Sequence, residues 1–326
     1  MKILDAGRLF TEMNELGRSG QPFVFLTDAF AEKGIIEPVG QPECSIWYKT
    51  SRNGNMPESD YAKPLTVWDI QPVSPELYTK GFRVVMDHIL RGDTFLLNYT
   101  QPTRINANLS LKELFHISKA RYKIHLPGVF TCFSPETFIT ISEDGVISSH
   151  PMKGTADATD PDAETLLLED SKEIAEHHTI VDLIRNDLSR VADEVTVERF
   201  RYTERLHTNR RDLIQVSSAI TGKLKDGWKG RLGDIFRELL PAGSVTGAPK
   251  PKTVEIIRKA ENYDRGWYTG VFGIFDGKTV DSAVMIRFVE DTGNGLVFKS
   301  GGGITFQSDA RSEYDEMIKK VYVPVA

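Results

Sequence analysis

Three turn sequences constrain the fold of this chain most: Asp144-Gly145, Asp276-Gly277 and Asn294-Gly295. Each dipeptide favours a tight reversal of the backbone, because glycine tolerates positive φ and Asn or Asp tolerates it better than most residues. Strand-like segments lie beside these turns, among them residues 137–142 and 270–275. Strands joined by so short a turn pair antiparallel. The sequence therefore predicts hairpins, not the long crossovers of a parallel sheet.

Helical periodicity occupies stretches between the predicted hairpins. Over residues 171–191, apolar side chains at positions 174, 181, 184, 188 and 191 keep the spacing of one helix face. Shorter helices are predicted over residues 75–91, 232–240, 252–260 and 309–321, the last with Ser308 as its N-cap. Because helices are interspersed with hairpin-linked strands, we predict an α+β fold.

We interpret residues 1–326 as a single domain, since no internal repeat or low-complexity tract is visible. The stretch 51–64 contains two prolines and Asn53-Gly54, which are typical of a loop. This loop separates a reduced N-terminal lobe, residues 1–75, from a core of residues 76–326 that carries the motifs described below.

Composition excludes several classes of function. The formal charge is −6, from 40 basic and 46 acidic residues, and no Lys/Arg cluster points to a nucleic-acid partner. The longest apolar runs fall short of the roughly 20 residues that span a bilayer. Two cysteines, Cys44 and Cys132, match no metal-ligand spacing and are typical of a reducing compartment. We therefore expect a cytoplasmic protein with no nucleic-acid or membrane partner.

Acidic side chains align on two of the predicted helices. Glu173 and Glu176 lie on one face of the long helix, and Glu313, Glu316 and Lys320 form a stripe along the last helix. Taken alone, these are ordinary solvated faces, with Glu316 and Lys320 an i,i+4 pair. If the two faces met at a pocket, their carboxylates would instead suit Mg²⁺.

Two glycine-rich segments carry equally open interpretations. Residues 243–250 form a glycine-rich turn that precedes a helix, but their glycine spacing is not that of a Walker loop. This turn is either a simple helix start or an anion site made of backbone N–H groups. Gly301, Gly302 and Gly303 are either a bend or bare backbone that a ligand approaches closely.

Lys153 and Glu136 are candidate catalytic residues. Lys153 follows the first predicted hairpin, and Glu136 lies 17 residues upstream. Most lysines are exposed and inert, but one in a partly dry pocket can lose its proton and act as a nucleophile. The two side chains could therefore face one cavity.

Together these segments resemble the chorismate-utilising enzymes, a family that includes anthranilate, aminodeoxychorismate, isochorismate and salicylate synthases. The resemblance covers residues 92–320 in unbroken order, and the ordered set is very specific although each motif alone is weak. The family implies two stacked, mostly antiparallel sheets flanked by helices. The motifs that carry the resemblance are Gly92-Asp93, Ser134-Pro135-Glu136, Lys153-Gly154-Thr155, residues 172–177, 181–188, 244–250 and 265–268, Ile286-Arg287, and residues 301–304 and 313–316.

The resemblance also implies a set of ligands for metal and substrate. Glu176 and Glu316 would hold Mg²⁺, the implied cofactor, with Glu173 and Glu313 in support. The metal would contact the ring carboxylate of chorismate. The implied substrate-binding residues are Gly154, Thr155, Ser244, Tyr268, Arg287, Gly301, Gly302, Gly303 and Lys320.

Within the family, Lys153 favours the aminodeoxychorismate synthase branch, since anthranilate synthases carry Ala at this position. The resemblance implies that Lys153 attacks ring carbon 2 while Glu136, as general acid, protonates the departing 4-hydroxyl. Ammonia then adds at carbon 4 and expels the lysine. The chain lacks a Cys-His amidotransferase site, so a separate glutamine amidotransferase subunit is expected to supply the ammonia.

Two residues depart from the family pattern. Gln215 stands where the family usually has His, and an amide cannot exchange a proton near neutral pH. Leu96 stands where ammonia-using relatives often have Gln and water-adding relatives have Lys. Three hypotheses follow: the amination just described, an anthranilate or isochorismate synthase, and a catalytically silent chorismate-binding protein. Lys153 and Leu96 disfavour the second, and Gln215 alone favours the third.

Overall fold

The computed structural model of the chain describes residues 2–40, 45–57, 63–206 and 213–325. Cys44 and part of the predicted 51–64 loop lie outside the described residues. For five residues inside these ranges the backbone is described and the side chain is not: Lys153, Thr155, Lys172, Leu206 and Leu213.

The described residues form eight α-helices, and five of them lie close to the helices that periodicity predicts over residues 75–91, 171–191, 232–240, 252–260 and 309–321, while the other three were not predicted. In chain order they are α1 Ala6–Ser19, α2 Pro75–Leu90, α3 Leu111–Ile117, α4 Ala163–Glu169, α5 Ser171–Leu188, α6 Leu232–Leu239, α7 Lys250–Ala260 and α8 Ala310–Lys319. The predicted cap of the last helix is wrong by one residue. Asp309, not Ser308, is the N-cap of α8, because its carboxylate accepts from the backbone N–H groups of Arg311 and Ser312.

Eighteen strands complete the described part of the chain. They are β1 Leu4–Asp5, β2 Phe23–Thr27, β3 Lys33–Pro38, β4 Trp47–Lys49, β5 Trp68–Pro72, β6 Leu96–Ala107, β7 Tyr122–Leu126, β8 Phe130–Ser134, β9 Thr137–Ile141, β10 Val146–Ser149, β11 Met152–Asp157, β12 Asp193–Leu206, β13 Leu213–Lys223, β14 Gly247–Ala248, β15 Val271–Phe275, β16 Val280–Val284, β17 Phe288–Asp291 and β18 Leu296–Ile304.

The strands form two sheets in which every described pairing is antiparallel. Sheet one has the order β1-β3-β2-β15-β16-β9-β10-β13-β11, with β12 beside β13. Sheet two has the order β14-β6-β18-β17-β8-β7-β4, with β5 beside β6. The three predicted hairpins are confirmed as β9–β10, β15–β16 and β17–β18. Their turn glycines Gly145, Gly277 and Gly295 all have positive φ.

Three apolar layers hold the sheets and helices together. Between the sheets, Leu26 and Phe272 of sheet one pack in the same cluster as Ile124, Phe130 and Phe288 of sheet two. A second cluster lies between sheet one and helices α1, α5 and α6, and a third lies between sheet two and helices α2, α7 and α8. The predicted α+β fold, with two stacked antiparallel sheets flanked by helices, is therefore confirmed.

None of the described helices combines the length and the apolar character that crossing a membrane requires.

A buried ion pair ties sheet two to the segment that follows α7. The Arg265 guanidinium donates to both carboxylate oxygens of Glu261, at 2.9 and 2.7 Å, and both side chains are 1% exposed. Arg265 also donates to the carbonyls of Asn98 on β6 and Val245. Glu261 in turn accepts from the backbone N–H and the hydroxyl of Thr100. The pair thus joins the segment after α7 to Val245 and to β6, the strand beside the glycine-rich strand β18.

Replacing Glu261 with Gln is expected to lower the free energy of unfolding by about 3–5 kcal/mol, because the buried Arg265 charge loses its partner. Denaturant unfolding followed by circular dichroism measures this change. The matched control is Glu32→Gln, which breaks the exposed pair with Arg258 at 2.6 Å and should cost at most about 1 kcal/mol. Equal losses in the two variants would contradict a stabilising role for the buried pair.

Candidate functional site

Glu136 lies at a crossover between the two sheets. It follows β8 of sheet two and precedes β9 of sheet one, and its backbone N–H donates to the Ser134 hydroxyl at 3.1 Å. The Ser244 hydroxyl donates to Glu136 Oε1 at 2.6 Å. Burial raises the pKa of the Glu136 carboxyl, while the Ser244 hydrogen bond and the charges of Arg287 and Lys320 oppose that shift. The side chain is therefore suited to hold a proton and release it.

Arg287 lies at a second crossover, between β16 of sheet one and β17 of sheet two. Because β16 is the neighbour of β9, and β17 the neighbour of β8, the two crossovers run side by side. The backbone carbonyl of Glu136 accepts from Val284, and that of Arg287 accepts from Phe133. Sheet topology thus brings Glu136 and Arg287 together although 151 residues separate them along the chain.

The Arg287 guanidinium is prepared for an acceptor. Its Nε is buried and has no hydrogen-bond partner among the described residues. The backbone at Arg287 adopts a φ of 55°, a left-handed conformation that is uncommon for a residue with a side chain. A buried guanidinium N–H without an acceptor fits a ligand carboxylate, which Arg binds through two parallel hydrogen bonds.

Tyr268 lies in a turn before β15, where its backbone N–H donates to the Arg265 carbonyl at 3.1 Å. The side chain is 3% exposed and packs near Phe288. Burial raises the pKa of the Tyr268 phenol, although the charges of Arg265 and Arg287 act against that shift. The phenol therefore remains a neutral hydrogen-bond donor near Arg287 at physiological pH.

The three glycines of β18 face β6 and the last helix. In the β6–β18 pairing, Gly301, Gly302 and Gly303 lie opposite Thr100, Tyr99 and Asn98. A Cβ atom at Gly302 would lie 3.3 Å from Glu313 Oε2, 3.5 Å from Lys320 Nζ and 3.8 Å from Glu316 Oε1. Only glycine leaves the backbone open between these charged groups.

Lys320, Glu313 and Glu316 converge on this open backbone. Lys320 Nζ donates to the Gly301 carbonyl at 2.9 Å and forms an ion pair with Glu316 Oε1 at 2.7 Å. Glu313 is 7% exposed and accepts from the Ser308 hydroxyl at 2.8 Å. The structure therefore brings together five of the predicted site residues, Gly301, Gly302, Glu313, Glu316 and Lys320, with Gly302 between the three charged side chains.

Glu173 of the long helix meets β11 at Gly154. A Cβ atom at Gly154, where φ is 88°, would lie 3.1 Å from Glu173 Oε2. The β11–β13 pairing is irregular between Met152 and Thr155, so Lys153 and Gly154 lie in a bulge of the strand. Bulges often re-aim side chains near functional sites. Lys153 and Thr155 are both predicted site residues, and the structure describes their backbone but not their side chains.

The carboxylates on α5 and α8 have the chemistry of a magnesium site. Glu176 is half-buried on α5, one helical turn beyond Glu173, and Glu313 and Glu316 occupy the equivalent positions on α8. Hard carboxylate oxygens are the protein ligands that Mg²⁺ takes, together with waters and ligand oxygens. In the part of the chain that the structure describes, no three or more His, Cys, Asp or Glu side chains are grouped as metal ligands. The predicted Mg²⁺ site therefore remains a prediction.

Leu96 and Gln215, the two departures from the family pattern, are both buried. Leu96 begins β6, and its Cδ1 would lie 3.1 Å from a Cβ atom at Gly303. Gln215 lies on β13 opposite Thr155 and is 9% exposed. Three residues along the same strand, the Ser218 hydroxyl contacts His177 Nε2 at 2.7 Å. The apolar Leu96 thus borders the glycine segment, and Gln215 borders the bulge that contains Lys153.

A second buried ion pair, formed by Lys250 and Asp187, lies near Glu136, and no role was assigned to it from the sequence. Lys250 Nζ lies 2.8 Å from Asp187 Oδ2, and their side chains are only 11% and 13% exposed. Both residues belong to motifs that carried the resemblance, and helical spacing places Asp187 on the same face of the long helix as Glu173 and Glu176. Their pairing depends on how α5 packs against the 243–250 turn, which no local pattern encodes.

Comparisons with known proteins agree with this fold. Residues 37–326 match the family model described as chorismate binding enzyme. An "Uncharacterized PabA-like protein" of Haemophilus influenzae is 46% identical over 96% of this chain and 95% of its own length. Among solved structures, an isochorismate synthase of Bacillus anthracis superposes with a TM-score of 0.72 at 20% identity, over 98% of this chain and 89% of that chain.

Two longer synthases are also similar. Anthranilate synthase component 1 of Haloarcula marismortui is 34% identical over 75% of this chain and 52% of its own length. Aminodeoxychorismate synthase component 1 of Bacillus subtilis is 30% identical over 77% of this chain and 55% of its own length. The chain thus spans about half the length of each synthase. With a family model that covers most of its residues, this chain belongs to the chorismate binding enzymes.

Proposed function

We propose that this chain aminates chorismate with ammonia to give 4-amino-4-deoxychorismate, a step toward para-aminobenzoate and folate. The observation that carries the proposal is the pair of adjacent crossovers. They bring a carboxyl of raised pKa, Glu136, close to Arg287, whose guanidinium Nε is buried and lacks an acceptor among the described residues. A dianionic substrate with a leaving hydroxyl needs both an acid and an anion site.

Substrate binding is assigned to groups that suit carboxylates. Arg287 would bind one carboxylate with its fork of N–H donors, assisted by the neutral phenol of Tyr268. Lys320 and the open backbone of Gly301, Gly302 and Gly303 would receive oxygens of the substrate. Gly154 and Thr155, in and beside the bulge of β11, would contact the region of the reacting ring.

The chemistry begins with Lys153 and Glu136. The neutral amine of Lys153 attacks ring carbon 2, the ring double bonds shift, and the carbon 4–oxygen bond breaks as Glu136 transfers its proton to the departing hydroxyl, which leaves as water. Ammonia then forms a bond to carbon 4, the double bonds shift back, and the Lys153 nitrogen leaves carbon 2. Ser244 keeps the Glu136 carboxyl oriented through the 2.6 Å hydrogen bond.

The carboxylates Glu173, Glu176, Glu313 and Glu316 are proposed to hold Mg²⁺, which suits their hard oxygen donors. When bound, the ion would neutralise and orient the ring carboxylate of chorismate. Glu313 is held by Ser308, so one of its oxygens is fixed in place.

Replacing Glu176 or Glu316 with Gln is expected to raise the Mg²⁺ concentration for half-maximal turnover by roughly ten- to a hundredfold, the size seen when groups of a metal site are removed. Each change keeps the side-chain shape but removes an anionic ligand. Mg²⁺ titration by calorimetry provides a readout independent of turnover.

The control for this prediction is Asp315→Asn, on the same helix, where Asp315 pairs with Arg311 at 3.2 Å and faces solvent. It should leave the Mg²⁺ dependence unchanged. A Glu176→Gln or Glu316→Gln variant with the Mg²⁺ dependence of the parent would remove that residue from the ligand set.

Ammonia is proposed to come from a separate glutamine amidotransferase subunit. Cys132, the one cysteine among the described residues, is fully buried, and burial raises its pKa, so it is unsuited to attack glutamine. The chain alone should therefore form product with ammonium salts and not with glutamine. Efficient glutamine-dependent product formation by the purified chain would contradict a separate ammonia source.

The function is tested by incubating the purified chain with chorismate, Mg²⁺ and an ammonium salt and identifying the products by mass. Amination at carbon 4 retains the enolpyruvyl group, so the product keeps the carbon count of chorismate. Anthranilate with pyruvate, or isochorismate, would contradict the proposal. Chorismate binding without any product would favour a catalytically silent protein.

One alternative has a specific observation in its favour. The anthranilate synthase from Haloarcula marismortui is 34% identical to this chain, against 30% for the aminodeoxychorismate synthase from Bacillus subtilis. Overall identity weighs every position equally, however, while Lys153 lies at the reacting ring in the proposed mechanism. An anthranilate synthase needs no nucleophile there, because ammonia attacks the ring directly, so Lys153 favours amination at carbon 4.

A further inference from the structure

Behind Glu136, on the side of α5, lies a buried ion pair that the proposed chemistry does not use. Lys250 Nζ binds Asp187 Oδ2 at 2.8 Å and also donates to the Leu239 carbonyl at 2.6 Å. Leu239 is the last residue of α6, and Lys250 is the first residue of α7. One ammonium group therefore holds together both ends of the segment between the helices and fixes that segment to α5.

The clamped segment carries Ser244, the hydrogen-bond donor to Glu136. Ser244 follows Gly243, and a Cβ atom at Gly243 would lie 3.0 Å from Asp187 Oδ2. Glu136, Asp187 and Ser244 line one cavity of about 20 Å³, room for a single water. The carboxyl of the proposed general acid, its hydroxyl donor and the clamping carboxylate are thus immediate neighbours.

We propose that Asp187, held by Lys250, is a positioning residue that sets the protonation of Glu136 by fixing the Ser244 hydroxyl against it. The inference rests on the proposed function in that it treats Glu136 as the general acid. The Ser244 hydrogen bond favours the ionised carboxylate and so limits the rise in the pKa of Glu136 that burial causes. The proton of Glu136 is therefore easier to transfer.

The direction in which the pKa of Glu136 changes when Asp187 is replaced distinguishes a direct effect of the Asp187 charge from an effect through Ser244. Glu136 faces Arg287 and Lys320, and Asp187 faces Lys250 and Arg190, with Glu238 near Lys250. If Asp187 acted directly through its charge, its removal would lower the pKa of Glu136. If it acts by holding Ser244, its removal loosens the hydrogen bond and raises that pKa.

The test is a pH titration of the Glu136 carboxyl, followed by its infrared band in difference spectra against Glu136→Gln. Ser244→Ala is expected to raise the midpoint on the order of one pH unit, the size of one lost hydrogen bond. Asp187→Asn should raise it in the same direction, and the double variant should shift it no further than Ser244→Ala alone. In the amination reaction, the fall in rate at high pH should move by the same amount.

The matched control is Asp182→Asn, on the same helix, where Asp182 is exposed and pairs with Arg185. It should leave the midpoint unchanged. An Asp187→Asn midpoint equal to or below that of the parent, or shifts that add fully in the double variant, would overturn the proposal. Thermal unfolding checks that Asp187→Asn folds. If it does not, the double change Asp187→Leu with Lys250→Met replaces it, because this change releases the same clamp and leaves the net charge unaltered.

The infrared titration needs no turnover, so its outcome is independent of the proposed reaction. If the chain does not aminate chorismate, the proposed function fails while the positioning of Ser244 and Glu136 is still tested. If amination occurs and the midpoints do not move as expected, only the role of Asp187 fails.

Discussion

Replacing Lys153 with Ala is expected to lower the rate of 4-amino-4-deoxychorismate formation about a hundredfold or more, an effect at least the size of losing a general acid. The covalent route needs an amine at carbon 2, and alanine offers none. Chorismate binding should persist, because Arg287, Tyr268 and Lys320 remain. Some anthranilate is expected, since ammonia can still attack the bound ring directly. Product analysis by mass after a timed reaction measures both effects.

The control for this change is Lys223→Ala, on the strand that pairs with the bulge of β11; Lys223 is partly exposed and pairs with Asp144 at 3.7 Å. It should retain the parent rate. A covalent adduct on the peptide that contains Lys153, detected by mass after quenching with chorismate and Mg²⁺, would support the nucleophile directly. Formation of aminodeoxychorismate at the parent rate by Lys153→Ala would refute it, even with the family assignment intact.

Replacing Glu136 with Gln is expected to lower kcat/KM by about 10²- to 10⁴-fold, the usual contribution of a general acid. The amide preserves the shape of the side chain and its contact with Ser244 but carries no transferable proton. In the parent, the rate should fall as pH rises through the pKa of Glu136, which burial places above the ordinary value for glutamate. The variant should lose this dependence on high pH.

The control for the acid is Glu143→Gln, an exposed residue in the β9–β10 turn that pairs with Lys278 at 3.2 Å. It should keep the parent rate and pH profile. Chorismate binding by calorimetry should be unchanged in both variants. A Glu136→Gln enzyme that retains the parent rate and the fall at high pH would assign the proton transfer to another group.

Local patterns predicted part of this fold, including five of the eight described helices. The hairpins at Gly145, Gly277 and Gly295 follow from single dipeptides, because the positive φ of glycine acts within a few residues. Helix positions follow from periodicity, with errors at the ends: the long helix stops at Leu188, where the backbone turns toward β12. The cap of α8 was missed because Ser308 and Asp309 are both good capping residues and only the backbone geometry selects between them.

The order of the strands in the two sheets could not be predicted from such local patterns. Strand β2 of the N-terminal region pairs with β15, about 250 residues later in the chain, and β4 and β5 join the other sheet. Alternation within each strand indicates which residues are buried, but any apolar strand face can pack on several partners. The two crossovers that unite Glu136 and Arg287 are a consequence of this order.

In the candidate site, too, some residues were identified from the sequence and others only from the packing of the fold. The resemblance named Gly302, Glu313, Glu316 and Lys320, and the structure shows their close approach. It gave no role to Asp187 and Lys250, because a charged pair 63 residues apart looks like two surface residues until burial is known. Burial is what makes such a pair important, because removing one partner leaves the other charge away from solvent and uncompensated.

The most direct test of the proposed function is to identify the ring carbon atom that receives nitrogen. The purified chain is incubated with chorismate, Mg²⁺ and ¹⁵N-labelled ammonium, and the bond from the label to carbon is located by NMR. Amination as proposed here places the label on ring carbon 4 of a product that retains its enolpyruvyl group. Label on carbon 2, with release of pyruvate, would contradict it and identify the chain as an anthranilate-forming enzyme.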